Sequence, residues 1–121
     1  MSDLVKVTVR RNKWLRGENY DVTRLLRPSD GKMCCLGFAC LALGETEDSI
    51  LDVSHPVTVS ERHQRSVGNL TSFINNDWEH PKPVDEAMRI NDLKDLDDKE
   101  RETEITKLLA QVGLDMEFVD E

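Results

Sequence analysis

One stretch of the sequence, residues 33–43, carries no charge and reads Met33-Cys34-Cys35-Leu36-Gly37-Phe38-Ala39-Cys40-Leu41-Ala42-Leu43. Ser29 or Asp30 ahead of it can cap a helix, and Gly44 behind it is typical of a helix end. Because a helix that is apolar on all sides is buried, the stretch predicts the central helix of the fold. Gly37 in its middle indicates a close contact with another segment, since glycine otherwise weakens a helix.

Two amphipathic strands are predicted at the two ends of the sequence. The first covers residues 4–10 and the second begins after Gly113, and in both the apolar and polar side chains alternate. Since each strand has one apolar face and no other evident partner, we expect the two to pair. The apolar positions are Val5, Val7, Val9, Leu114, Met116 and Phe118.

Two helices are predicted in the second half of the sequence. Residues 84–93 follow Pro83, which is favoured at the first position of a helix. Residues 97–112 begin with Asp97 as a cap and end before Gly113. The apolar stripe of this second helix consists of Ile105, Leu108, Leu109 and Val112.

The segments between these elements have weaker patterns. Residues 11–16 predict a short helical turn that buries Trp14, and residues 69–77 predict one or two helical turns. Residues 45–65 predict a long surface loop that includes one turn of helix. Residues 18–27 have no clear period and contain four apolar anchors, Tyr20, Val22, Leu25 and Leu26.

The composition indicates one α+β domain over residues 1–121, with a central buried helix, surrounding helices and a small sheet formed by the N- and C-terminal strands. The net charge of −8 disfavours binding of nucleic acid or anionic membranes by the whole surface. The first residues lack the apolar region that is typical of a signal peptide. We therefore expect a cytoplasmic protein whose three cysteines are reduced thiols.

The charge is unevenly distributed along the chain. Residues 1–32 hold eight Lys/Arg and four Asp/Glu, a net charge of +4, whereas residues 77–121 hold six and fifteen, a net charge of −9. One interpretation is solvated surface or pairing of the two ends with each other, and the other is that one end meets a charged partner. The candidates for binding a phosphate-bearing ligand or nucleic acid are Arg10, Arg11, Lys13, Trp14, Arg16, Arg24 and Arg27. The candidates for protein interaction are Glu100, Glu102 and Glu104.

The cysteines allow three interpretations. As metal ligands they lack the paired spacing of zinc sites, which His55, His63 and His80 do not supply either. Cys34 in the first turn of a helix would have a lowered thiol pKa and could act as a nucleophile if a histidine base lay close. We favour the third interpretation, inert thiols that pack as small hydrophobic side chains. No metal or cofactor is predicted.

Three segments, Trp14-Leu15-Arg16-Gly17, Leu25-Leu26-Arg27 and Asp30-Gly31-Lys32-Met33-Cys34-Cys35-Leu36-Gly37-Phe38, resemble a family of small uncharacterised phage and prophage proteins with a Cys-Cys-Leu-Gly core. The later Ile90-Asn91-Asp92 and the helix that leads into an apolar C-terminus are similar to elements of the same family. The resemblance implies the origin of the chain, a phage accessory protein, and supplies no catalytic residues.

The leading hypothesis for function is a non-enzymatic phage accessory protein that binds a host or phage protein and inhibits a host process such as a defence system. The first alternative is binding of nucleotides or nucleic acid by the basic N-terminal region. The second alternative is a Cys-dependent enzyme. We expect a protein partner and no membrane partner, and the sequence leaves a homo-oligomer open.

Overall fold

The computed structural model describes residues 4–17, 24–74, 77–79 and 81–120. Strand β1 spans Val5–Arg10, and helices α1, α2 and α3 span Cys35–Ala42, Glu47–Ile50 and Pro56–His63. Strands β2 and β3 span Ser72–Ile74 and Asp77–Glu79, helices α4 and α5 span Lys82–Asp92 and Asp98–Ala110, and strand β4 spans Leu114–Val119. None of the helices in these ranges is long and apolar enough to cross a bilayer.

Helix α1 is the central helix that the uncharged stretch predicts, and it packs against β1 and α4. It begins at Cys35 with Cys34 as its N-cap, so the prediction that Ser29 or Asp30 caps it is wrong. Met33 is held in an extended conformation because its N–H donates to Lys13 O at 2.9 Å and its carbonyl accepts from Leu15 N at 2.7 Å. The buried residues of the helix are Cys35, Leu36, Gly37, Phe38, Ala39 and Cys40.

Gly37 lies at the close contact that its position in the sequence predicts. A Cβ atom at Gly37 would lie 1.9 Å from the carbonyl oxygen of Leu25 and 2.8 Å from the Cβ atom of Met33. The segment that contains Leu25 therefore crosses α1 backbone against backbone. The same segment is also bound to the loop between α2 and α3, where Leu25 N donates to Val53 O at 2.7 Å.

The two terminal strands pair, which confirms the predicted sheet and the α+β class. They run parallel, with Val5 opposite Leu114 and Arg10 opposite Val119. One face of the sheet is buried against the helices and the other is exposed and polar, where Lys6 pairs with Glu117 at 3.4 Å. The buried face consists mainly of Val7, Val9, Leu114 and Met116.

The prediction of a surface loop over residues 45–65 is wrong, because two short helices form there. Thr46 caps α2 by accepting from Ser49 N at 3.2 Å. His55 caps α3 through Nδ1, which accepts from Val57 N at 3.0 Å, and Pro56 occupies the first turn. Such caps satisfy backbone donors that a short helix leaves open, and the buried Ile50 and Val59 anchor the two helices in the core.

The prediction of helical turns over residues 69–77 is also wrong beyond Leu70. A single 3₁₀ turn at Gly68–Leu70 is followed by the antiparallel hairpin of β2 and β3. The hairpin places Phe73 opposite Trp78, with ring centroids 5.1 Å apart. Aromatic cross-strand pairs stabilise a hairpin, and the contact of Phe73 with Trp78 across the turn outweighs the helical spacing of Leu70, Phe73 and Ile74.

The two helices predicted in the second half are confirmed as α4 and α5, with small differences at their ends. Helix α4 begins at Lys82, so Pro83 is its second residue. Asp97 caps α5 by accepting from Lys99 N at 2.8 Å. Of the four apolar anchors predicted between residues 18 and 27, Leu25 and Leu26 are buried, whereas Tyr20 and Val22 lie outside the described residues.

Candidate functional site

Arg11, one of the predicted ligand-binding residues, is held by the acidic C-terminal part of the same chain. Its guanidinium donates to both carboxylate oxygens of Glu102, at 2.8 and 2.9 Å, and to Asp120 at 2.7 Å. The hydrogen bonds to Glu102 and then to Asp120 raise the pKa of Arg11 above its ordinary value. Bidentate pairs fix geometry, so Arg11 and Glu102 join the end of β1 to α5.

Arg16 and Trp14 also have partners within the chain. Arg16 donates to Asp98 at 2.8 Å, which is the main reason that the pKa of Asp98 is lowered. The guanidinium carbon of Arg16 lies 4.5 Å from the centroid of the Trp14 ring. Trp14 is only 2% exposed, so it has a structural role in place of the base stacking that the sequence predicts.

Arg24 and Arg27 form ion pairs at the surface. Arg24 donates to Asp52 at 3.2 Å, and Arg27 donates to Asp30 at 2.6 Å. The hydrogen bond from Arg27, followed by that from the Lys32 backbone, lowers the pKa of Asp30 to about 2. Because each of these two arginines is partly neutralised by an aspartate, each would attract an anionic ligand less strongly than an unpaired arginine would.

Arg10 and Lys13 differ from the other basic candidates. Both side chains are exposed, and neither forms an ion pair with any residue in the described ranges. Together with Arg27 they line a groove of about 740 Å³. Three of the seven predicted residues therefore lie together in the groove. Of the other four, Arg11, Trp14 and Arg16 contact one another outside the groove lining, and Arg24 lies apart with Asp52.

The groove, which we call the β1 groove, lies between strand β1 and helices α1 and α2. Its more buried lining residues, Leu26, Met33 and Phe38, form an apolar floor, and Leu51 is 43% exposed at its rim. The remaining lining residues are Thr8, Arg10, Lys13, Arg27, Pro28, Gly31, Leu41, Ala42 and Glu47. An apolar floor with a mainly basic rim suits a ligand that has both apolar and anionic groups.

The three acidic candidates for protein interaction occupy different environments on α5. Glu102 is half-buried on Arg11, and Glu104 pairs loosely with Lys107 at 3.7 Å. Glu100 is exposed and forms no ion pair with another residue of the described part of the chain. The acidic surface is therefore partly neutralised by the protein itself.

The three thiols lie in the core. Cys34 is 2% exposed, and Cys35 and Cys40 are fully buried. Burial raises the pKa of Cys34 to about 12 and raises the pKa values of Cys35 and Cys40 as well. A buried thiol that stays protonated at neutral pH is a poor nucleophile, so the helix N-terminus does not activate Cys34 in the way that the nucleophile interpretation requires.

We expect all three thiols to resist alkylation in the folded protein at pH 8. Desolvation keeps them protonated, and their burial excludes the reagent. Labelling by iodoacetamide, followed by intact-mass spectrometry, should be slow in buffer and complete in 8 M urea (roughly the concentration that unfolds small domains). Rapid labelling of Cys34 alone in buffer would make the Cys-dependent enzyme the leading hypothesis.

Asn91 is a buried polar residue for which the sequence predicts no structural or chemical role. Its Oδ1 accepts from Trp14 Nε1 at 2.8 Å and from Cys35 N at 3.1 Å, and its Nδ2 donates to Leu15 O at 2.9 Å. A single amide therefore ties α4 to the start of α1 and to the segment after β1. The sequence signal that could have identified it is its spacing, since Asn91 continues the buried face of α4 that Val84 and Ala87 form.

Within the described residues, no group of three or more His, Cys, Asp and Glu side chains is arranged to hold a metal ion. No protein-family model matches the chain, and neither the curated proteins nor the solved structures contain a match. The β1 groove is therefore the candidate site on geometry alone.

Proposed function

We propose that this chain is a phage accessory protein that acts in the host cytoplasm, where it binds a host or phage protein and inhibits a host process such as a defence system. The observation that carries the proposal is the β1 groove, in which exposed Arg10 and Lys13 flank an apolar floor. Protein interfaces combine an apolar centre with a polar rim, and a protein segment can supply both kinds of group. The origin is supported by the resemblance of residues 14–40 to phage and prophage proteins.

The structure favours the basic groove over the acidic helix as the binding surface. In the groove, Arg10 and Lys13 form no ion pair with a described residue, although Glu47 also belongs to the lining, so a partner's carboxylates would gain new ion pairs. On α5, Glu102 already uses both carboxylate oxygens on Arg11. A partner would therefore have to displace an existing bidentate pair to use it.

Binding of a nucleotide or nucleic acid is the second candidate. The β1 groove is lined by three basic residues, Arg10, Lys13 and Arg27. Its volume of about 740 Å³ is within the range of sites that bind small molecules. The aromatic platform that the sequence predicts for this function is missing, because Trp14 is buried. The groove therefore fits anionic groups attached to apolar ones better than it fits stacked bases.

The proposal is tested by affinity capture from bacterial lysate with two matched double variants. Arg10→Glu with Lys13→Glu reverses the groove charges, and Glu100→Lys with Glu104→Lys reverses exposed charges on α5. We expect the groove variant to lose at least about tenfold of the captured partner, because two attractions become repulsions, while the α5 variant keeps it. Melting curves of both variants provide the control for folding.

Three results would argue against parts of the proposal. Loss of capture in the α5 variant alone would place the binding surface on the acidic helix. Capture of nuclease-sensitive material with a steep salt dependence would favour the nucleic-acid alternative. A captured set of proteins that is identical for both variants and the unaltered chain would remove the support for the groove.

A further inference from the structure

The edge of β1 that faces away from β4 has unused backbone groups. Val5 N donates to Gly113 O at 2.9 Å, so in this parallel ladder Val5, Val7 and Val9 direct their backbone groups to β4. The intervening residues Lys6 and Thr8 point their N–H and C=O groups the opposite way. Within the described residues, no backbone or side-chain group bonds to these atoms. The β1 edge is thus open for another strand.

The β1 edge borders the β1 groove, because Thr8 and Arg10 belong to the groove lining. A strand added at about 4.8 Å from β1 would place alternate side chains toward the apolar floor and the others on the exposed face. On that exposed face its side chains would lie next to Lys6 and Arg10. The position therefore selects apolar residues on one side of the added strand and acidic residues on the other.

The other edge of the sheet is less suited to a partner strand. Strand β4 carries Asp115 and Glu117 on the exposed face, and Asp120 directly follows the strand, so an acidic segment would be repelled there. Strand β4 itself shows which kind of strand pairs with β1, because it alternates apolar and acidic residues. In β4 the apolar residues Leu114 and Met116 alternate with these acids, and Glu117 reaches Lys6.

We propose that the β1 edge takes up an extended segment of a partner protein as an additional strand, and that this segment alternates apolar and acidic residues. The inference rests on the proposed function, since it names the part of the partner that the β1 groove recognises. Main-chain hydrogen bonds to Lys6 and Thr8 would provide affinity, and the floor and the cations would provide specificity. A second copy of this chain is disfavoured, because two β1 edges would bring Lys6 and Arg10 of both copies together.

The probe is a synthetic peptide, acetyl-Gly-Val-Asp-Val-Glu-Val-Asp-Gly-amide, and binding to the full chain is measured by calorimetry or by NMR titration. We expect this peptide to bind and the version with lysine at each acidic position to bind at least about tenfold more weakly. Equal binding of the acidic and lysine peptides, or no binding of either, would overturn the inference.

Two N-methylated forms of the acidic peptide test for strand addition in particular. One carries methyl groups on the valine amides and the other on the amides of the acidic residues. In a strand added to β1 only one of these sets faces the protein: the valine set for a parallel strand and the acidic set for an antiparallel one. We expect one form to lose at least roughly tenfold in affinity and the other to bind nearly as the parent does. Similar affinities for the two forms would contradict strand addition.

The matching change in the protein is Thr8→Pro, with Thr8→Ala as its control. Proline removes a donor that points away from β4 and should leave the ladder in place, because edge strands tolerate proline at such positions. We expect Thr8→Pro to weaken the acidic peptide by roughly tenfold and Thr8→Ala to change it by less than about twofold. If Thr8→Pro fails to fold, the two methylated peptides on the unaltered chain still decide the question.

The result for strand addition is separable from the result for the proposed function. A lysate partner that needs Arg10 and Lys13 but tolerates Thr8→Pro would keep the protein-binding function and overturn strand addition. A dimer of the unaltered chain in sedimentation experiments that Thr8→Pro dissociates would assign the edge to a second copy and overturn the acidic partner.

Discussion

Replacing Gly37 with alanine is expected to lower the free energy of unfolding by roughly 3 kcal/mol or more, at the upper end of the range for overpacked cores. The reason is that the new Cβ atom would lie 1.9 Å from the carbonyl oxygen of Leu25, which is main chain and cannot rotate away. The segment with Leu25 would have to separate from α1, and its hydrogen bond to Val53 would shift with it. We expect a melting temperature lower by roughly 10 °C or more, and leucine at this position should be worse.

Gly31→Ala is the matched control for this prediction. Gly31 has a φ of +73° and nothing within 4 Å of a Cβ atom, so alanine there meets only backbone strain of about 1–2 kcal/mol. Thermal unfolding followed by circular dichroism compares the two variants directly. If both variants melted at the same temperature, the close contact with the Leu25 carbonyl would not be the reason that position 37 requires glycine.

Replacing Asn91 with leucine is expected to have an effect of similar size. The side chain keeps about the same volume but leaves three buried groups without partners: Trp14 Nε1–H, Cys35 N–H and Leu15 C=O. Each buried group without a hydrogen bond costs about 1–3 kcal/mol, so the total loss should reach about 3 kcal/mol or more. Since small domains are stable by only about 5–15 kcal/mol, soluble yield should fall visibly.

Asn69→Leu is the control for Asn91, because it removes one hydrogen bond at the surface. Asn69 is exposed and donates to Val112 O at 3.1 Å, so we expect a cost below about 1 kcal/mol.

The double variant Trp14→Phe with Asn91→Leu should be more stable than the sum of the two single changes predicts, since the two side chains interact directly. Urea unfolding midpoints of the unaltered chain, of Trp14→Phe, of Asn91→Leu and of the double variant measure this coupling. Strict additivity would show that the hydrogen bond between Trp14 and Asn91 contributes little to stability.

The elements that local chemistry decides are predictable from the sequence. An uncharged stretch has no desolvation cost that competes with burial, so residues 33–43 could be placed in the core. The period-two pattern placed Val7 and Val9 on the buried face, and the cap at Asp97 placed the start of α5. Each of these signals lies within a few residues of the element that it specifies.

Elements with weak or ambiguous local signals were predicted incorrectly. The spacing of Leu70 and Phe73 suits a helix, but Phe73 pairs with Trp78 across a hairpin. Helices α2 and α3 are short, and their stability depends on caps and on Ile50 and Val59 in the core rather than on a long apolar stripe. Helix α1 begins at Cys35, later than the uncharged stretch predicts, because a β-bridge to Trp14 holds Met33 in an extended conformation.

The sequence by itself determined the central helix, the two amphipathic terminal strands and the separation of basic from acidic residues along the chain. Only the tertiary structure decided that the strands run parallel, and which cations remain available to a partner. Arg11 is paired with Glu102, 91 positions away, whereas Arg10 beside it lines the groove with Lys13. The physical reason is that periodicity and capping act over a few residues, whereas the pairing of a charge depends on segments that meet only when the chain folds.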